Sequence, residues 1–261
     1  MDWKAWIGSL DFKSNETRRK AVKQLLDAWQ VSYEVQHYET GENLIVTLGN
    51  GPRYTAVSCH TDRVPRSGGA NDNGAAMAVC LELIHQLKET SCSVKFFFFD
   101  EEENRLRGSR AYVKAYGIQS LKRLVNLELV GRGKHLIGWP AHPGSLELQE
   151  LIADTCEEAD PSLPPVLWLP EFMLYYSDTD AFREAGMEAC ITLTKTEQAD
   201  YQLARDVLEG KTATSLDELA FQSELMRCYH NKEDHAGRLR NEDIQHTVSL
   251  VKAIIQRSDS L

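Results

Sequence analysis

Val94-Lys95-Phe96-Phe97-Phe98-Phe99 runs without a break into Asp100-Glu101-Glu102-Glu103. Successive side chains of a strand point to opposite faces, so a run apolar on consecutive positions needs cover on both. That is the situation inside a sheet sandwiched between helices. Upstream, Met77, Cys80, Leu81, Ile84 and Leu87 recur at steps of three and four and predict a helix from about Gly74 to Lys88. Further out, strand character over Tyr33 to Tyr38, Asn43 to Leu48 and Tyr54 to Cys59 is divided by Thr40-Gly41-Glu42 and Gly49-Asn50-Gly51-Pro52 turns. An N-terminal helix over about 14–30 follows from Val22, Leu25, Leu26 and Trp29 behind the polar Ser14-Asn15-Glu16-Thr17. Downstream the alternation continues: helix Ser109 to Tyr116, strand Leu124 to Leu129, helix Ser145 to Glu158, strand Val166 to Leu169, helix Thr179 to Ala185, strand Ala189 to Thr194, and a last helix Asn241 to Gln256. Such alternation predicts an α/β chain, a three-layer α/β/α domain around a mixed, mostly parallel central sheet.

The chain has 261 residues, no internal repeat and no Pro/Gly/Ser-rich linker, so a single domain over 1–261 is expected. No apolar run approaches the ~18 residues of a membrane span. A net charge of −10 would repel phosphate backbones, so neither a membrane nor nucleic acid is an expected partner. Met1-Asp2-Trp3-Lys4-Ala5-Trp6 does not read as a secretion leader, which gives a cytoplasmic expectation. Cys59, Cys80, Cys92, Cys156, Cys190 and Cys228 lie far apart and read as small apolar residues rather than a disulfide framework or thiolate site.

In sheets of this kind, ligands bind beyond the carboxyl ends of the strands. Those ends carry an unusual polar series: Cys59-His60-Thr61-Asp62, Gly69-Ala70-Asn71-Asp72-Asn73-Gly74, the acids after Phe99, then Asn126-Leu127-Glu128-Leu129, and late in the chain Tyr229-His230-Asn231-Lys232-Glu233-Asp234. Imidazole nitrogen and carboxylate oxygen suit zinc, and two ions about 3.5–4 Å apart can share a bridging carboxylate. A nearby carboxylate outside the metal shell can take a proton from the attacking water. Asp72 also fits the bland reading of a helix cap, and the consecutive glutamates that of a solvated charge run.

The order H-x-D, G-A-N-D-N-G, F-x-x-E-E-x-x-L-x-G-S, N-L-E-x-V-G-R and a late H-x-x-x-D resembles the co-catalytic zinc aminopeptidases of metallopeptidase family twenty-eight, from about Asn43 to Val251. The resemblance implies a zinc-dependent exopeptidase fold and two zinc ions per chain, and 261 residues leave no room for the inserted dimerisation domain of related carboxypeptidases. It implies that His60 and Glu128 bind one zinc, that Glu103 and His230 bind the other, and that Asp72 bridges them. Glu102 would be the general base and acid, and Asp62 would orient His60. Counting back from Leu106-Arg107-Gly108-Ser109 places the active pair at Glu102 and Glu103 and leaves Glu101 at the surface or pocket rim. Ser177-Asp178, Phe182 and Gly186 look like a further segment of the family beside the site.

Two positions depart from the pattern. Glu128 stands where aminopeptidases of this group more often have Asp, although related exopeptidases of the wider clan use Glu. Thr179 stands where the Ser-Asp segment usually has His. Outside the motifs, Tyr175 and Tyr176 are candidates for stabilising an oxyanion, and His142 is a candidate pocket residue. The remaining histidines read as surface or loop residues.

The expected activity is peptide hydrolysis that removes N-terminal residues, with a peptide or amino-acid derivative as substrate. The alternatives are a glutaminyl-cyclase-like acyltransferase with one zinc, and a non-catalytic binding module on a peptidase fold. Oligomeric state is open.

Overall fold

The computed structural model describes residues 1–170, 176–211 and 222–260. Its strands are β1 (Glu34–His37), β2 (Glu42–Leu48), β3 (Tyr54–His60), β4 (Val94–Phe99), β5 (Leu121–Leu127), β6 (His135–Trp139), β7 (Leu167–Trp168) and β8 (Cys190–Thr196). They form one sheet in the order β1-β2-β4-β3-β5-β8-β6-β7. Four of the seven described pairings are parallel, and β4, β3, β5 and β8 form a continuous parallel centre. The expected mixed, mostly parallel α/β sheet is therefore present.

The helices are α1 (Trp3–Gly8), α2 (Asn15–Ala28), α3 (Ala75–Leu87), α4 (Arg107–Tyr116), α5 (Leu146–Ala159), α6 (Thr179–Glu184), α7 (Gln198–Leu208), α8 (Glu224–Cys228) and α9 (Asn241–Ser260). One face of the sheet packs against α1, α2, α3, α5 and α9. The other packs against α4 and α6. No helix among the described residues is long and apolar enough to cross a membrane.

The phenylalanine run of β4 explains this layering. Phe96 and Phe98 enter the first core, while Phe97 and Phe99 enter the second with Tyr112 and Phe182. Phe97 and Phe99 stack with ring centroids 5.2 Å apart. All four rings are fully buried, each stabilising the fold by roughly 1.5–3 kcal/mol.

The structure adds elements that periodicity does not announce. Helix α1 is six residues long, β6 is a five-residue strand containing Gly138, and α7 buries only Asp200 and Tyr201. Strand β5 starts at Leu121 and ends at Leu127, so Glu128 lies just past the strand rather than within it. The chain bends there because Leu129 takes a left-handed φ of 55°.

Candidate metal centre

The parallel centre brings the carboxyl ends of β3, β4 and β5 side by side. His60, the last residue of β3, pairs with Phe99, the last of β4. Gly108 makes the acidic turn after β4 possible, because a Cβ there would sit 2.2 Å from the Asp100 carbonyl oxygen. Asp72 lies in an irregular turn, Ala70–Gly74, with non-helical φ −113° and ψ 83°. Helix α3 begins after that turn without a side-chain cap, so Asp72 is not a cap and its carboxylate points elsewhere.

Asp72 faces both ways. Its Oδ1 is 3.1 Å from His60 Nε2, which also lies 3.4 Å from Glu128 Oε2. Its Oδ2 is 3.3 Å from His230 Nε2, which lies 3.0 Å from Glu103 Oε1. Ligand atoms of His60, Asp72 and Glu103 all fall within 4.8 Å of one another. The structure thus gathers all five side chains expected to ligate metal. Asp72 Oδ2, Glu103 Oε1 and His230 Nε2 are buried and converge without forming a hydrogen bond of ordinary geometry. A dication at their meeting point would satisfy all three, and two imidazoles with three carboxylates are a donor set that suits zinc.

Each of these groups is held from behind. His60 Nδ1 lies 3.2 Å from the Asp62 carbonyl oxygen and 3.3 Å from Asp62 Oδ1, contacts that orient the ring with Nε2 toward Asp72. The Asp62 carboxylate accepts the backbone N–H groups of Glu102 and Glu103, both at 3.1 Å. Asp234 does the same for Asn71 at 2.7 Å and Asp72 at 3.1 Å. Asn73 and Asn126 donate to the two oxygens of Glu128, at 2.9 and 3.1 Å. Ser58 in turn donates to Asn126 at 2.7 Å. Left-handed φ values at Glu101, Leu129 and His230 show backbone strain at or beside the cluster, where functional sites tend to store it.

The electrostatics follow from crowding carboxylates out of water. Burial opposes charge on His60 and His230, yet the surrounding carboxylates win. His60 is held well above the usual imidazole range by Glu128, Asp62 and Asp72. His230 is raised to about 9 by Asp72 and Glu103. Burial works against an ionised Asp72 as well, but His230 and His60 hold its carboxyl below its ordinary value. Burial raises Glu102, Glu103 and Glu128, and Glu102 is pushed further by Glu128, Asp178 and Glu103.

Other expected residues are placed as follows. Glu101 turns to the rim, where Thr40 Oγ1 donates to it. Asp178 is fully buried, and burial, with Glu128 and Asp62 adding to it, pushes its carboxyl up to about 7. Thr179, in place of the usual His, joins a hydroxyl cluster with Ser177 and Thr192, with Ser177 Oγ 2.7 Å from both partners. Tyr176 is 80% exposed, and Tyr175 lies outside the described residues. His142 sits in the turn before α5, at the end of β6 away from the cluster. His135 and His246 are half-buried rather than at the surface.

Tyr229 is a residue that sequence reasoning passed over. Its ring stacks on His230 with centroids 3.6 Å apart. Burial and the charges of Asp72, Glu103, Glu102 and Glu128 hold its phenol protonated. The only signal in the sequence was its place next to His230.

Comparison with known proteins places this geometry. Over 85 residues the chain is 40% identical to Aminopeptidase YwaD of Bacillus subtilis, covering 31% of this chain and 19% of that protein. The first curated relatives are thus matched over a fifth or less of their length. Among solved structures, a glutaminyl cyclase from Porphyromonas gingivalis has a TM-score of 0.74 at 13% identity, with 98% of this chain and 97% of that chain covered. BSAP, a zinc aminopeptidase from Bacillus subtilis, has a TM-score of 0.61 at 24% identity, covering 84% of this chain and 50% of that one. At these identities the structural likenesses establish the fold alone. The description peptidase family M28 matches residues 43–255, a span that holds every residue of the cluster, and the chain belongs to that family.

Proposed function

We propose that the chain is a zinc-dependent metallo-exopeptidase that removes N-terminal residues from peptides, with two zinc ions that His60, Asp72, Glu103, Glu128 and His230 would hold. The observation that carries this reading is the pair of half-sites on one carboxylate: His60 at 3.1 Å from Oδ1, with Glu128, and His230 at 3.3 Å from Oδ2, with Glu103. Zinc held there would lower the pKa of a water and polarise a carbonyl, the chemistry that amide hydrolysis needs. The complete set of side chains supports an enzyme rather than a binding module.

The protein's own residues do the rest. Glu102, next to the cluster but outside the converging set, takes the proton of the attacking water on its carboxylate and passes it to the departing amine nitrogen. Asp62 keeps that glutamate in place through its backbone N–H. Tyr229, held against His230 with its phenol protonated, donates to the oxygen that becomes negative as the carbonyl is attacked.

A panel of unblocked, N-acetylated and N-terminal-glutamine peptides tests the assignment. Release of the first residue from unblocked peptides, with acetylated ones left intact, is the expected result. Cleavage of blocked peptides only, or loss of ammonia from the glutamine peptide without cleavage, would replace the aminopeptidase reading. The second outcome would favour the cyclase.

A further inference from the structure

Beneath the metal centre lies a charged side chain from outside the family match. Arg18, on α2, precedes residues 43–255 and is completely buried. Its Nε donates at 2.7 Å to the carbonyl oxygen of Thr61, the residue between His60 and Asp62. One terminal nitrogen lies 3.5 Å from Met77 Sδ, and the other, Nη1, has no hydrogen-bond partner. The guanidinium rests against the turn that carries Asp72. A Cβ on Gly69, whose φ is +72°, would lie 2.9 Å from Nη1, and one on Gly74 would lie 3.7 Å from Nη2. Glycine at position 69 therefore gives both the left-handed turn and the room for the arginine.

An unpaired guanidinium in a protein interior is costly, so its surroundings must compensate. Burial works against the charged guanidinium and prevails, and the charges of Asp234, Asp62 and Asp72 offset part of that cost. Two of these aspartates are clamps. Asp62 grips the amides of Glu102 and Glu103, and Asp234 grips those of Asn71 and Asp72 and accepts from Ser67 Oγ at 3.2 Å. Arg63, the neighbouring cation, is differently employed: it donates to the carbonyl oxygens of Phe12, Lys13, Val64, Pro65 and Ser67 and staples the loop.

We propose that Arg18 is a positioning residue of the metal centre. Its bond to the Thr61 carbonyl oxygen and its packing under Gly69 and Gly74 hold the segments bearing His60, Asp62 and Asp72 in the geometry that binds metal. The proposal rests on the two-metal reading of the cluster. It makes the N-terminal helical segment part of the functional apparatus rather than an accessory to the fold.

Zinc affinity, measured by competition with a chromogenic chelator, together with the thermal midpoint of the metal-free protein, tests it on wild type, Arg18→Met and Arg18→Lys. Loss of an outer partner of a metal ligand typically weakens binding 10–100-fold, so Arg18→Met should bind zinc at least about tenfold more weakly. Arg18→Lys keeps the charge and should stay within roughly threefold of wild type, a rescue that filling space would not give. Arg18→Met within about twofold of wild-type affinity, whatever its thermal midpoint, overturns the proposal. So does an Arg18→Lys variant about tenfold weaker or more, which decides the matter even where Arg18→Met does not fold. A wild-type chain without zinc affinity sinks the metal centre and this inference together. A zinc-binding wild type matched by Arg18→Met sinks only the inference.

Discussion

Glu102→Gln should lower kcat on an unblocked peptide by about 10²–10⁴-fold while the zinc content stays at the wild-type level. Glutamine keeps the shape and the backbone N–H that Asp62 Oδ1 accepts at 3.1 Å, so the turn after β4 should stand. What it lacks is a carboxylate that can take a proton. The loss should fall on kcat with KM little changed, because an interaction made only as the proton moves does not contribute to ground-state binding. Parallel metal analysis separates this from damage to the site. Wild-type turnover by Glu102→Gln with metal in place would remove Glu102 from the mechanism.

Asp72→Ala should do more, emptying both halves of the centre and taking activity to background. The two oxygens of Asp72 face different histidines, at 3.1 and 3.3 Å, so its removal takes a ligand from each half-site at once. Glu128→Ala or Glu103→Ala should weaken one half only. The Asp72→Ala chain is therefore expected to hold less metal than either single-half variant. Circular dichroism and a thermal scan on the same samples establish that each is folded. Two ions retained by folded Asp72→Ala, at wild-type affinity, would refute the bridge.

Much of this was legible because the fold and the cluster write themselves in local patterns. The run Phe96 to Phe99 announces a strand covered on both faces, and the polar residues after β3, β4 and β5 stand where a parallel sheet presents its ligands. Glu102 and Glu103 were selected over Glu101 by the resemblance, through its E-E-x-x-L-x-G-S pattern counted back from Gly108, and the close approach of Gly108 to the Asp100 backbone is a physical reason that spacing holds. Asp72 was ambiguous between helix cap and ligand until its non-helical φ and ψ and the uncapped start of α3 were seen.

What stayed hidden depends on contacts between segments far apart in the chain. Asn73 and Asn126 secure Glu128, but neither differs in sequence from any other loop or strand asparagine. Asp234 reaches back 162 residues to the amide of Asp72. Arg18 reads as one more basic residue of an amphipathic helix, and only packing shows that it is buried under the metal-bearing turn. Strand β6 escaped because five residues, one of them Gly138, carry too little periodicity.

The most direct test of the two-metal account is a zinc titration of the metal-free chain followed by turnover of an unblocked peptide. Activity rising to a plateau at two equivalents of zinc per chain is the predicted result. A plateau at one equivalent, or no turnover with two ions bound, would contradict it.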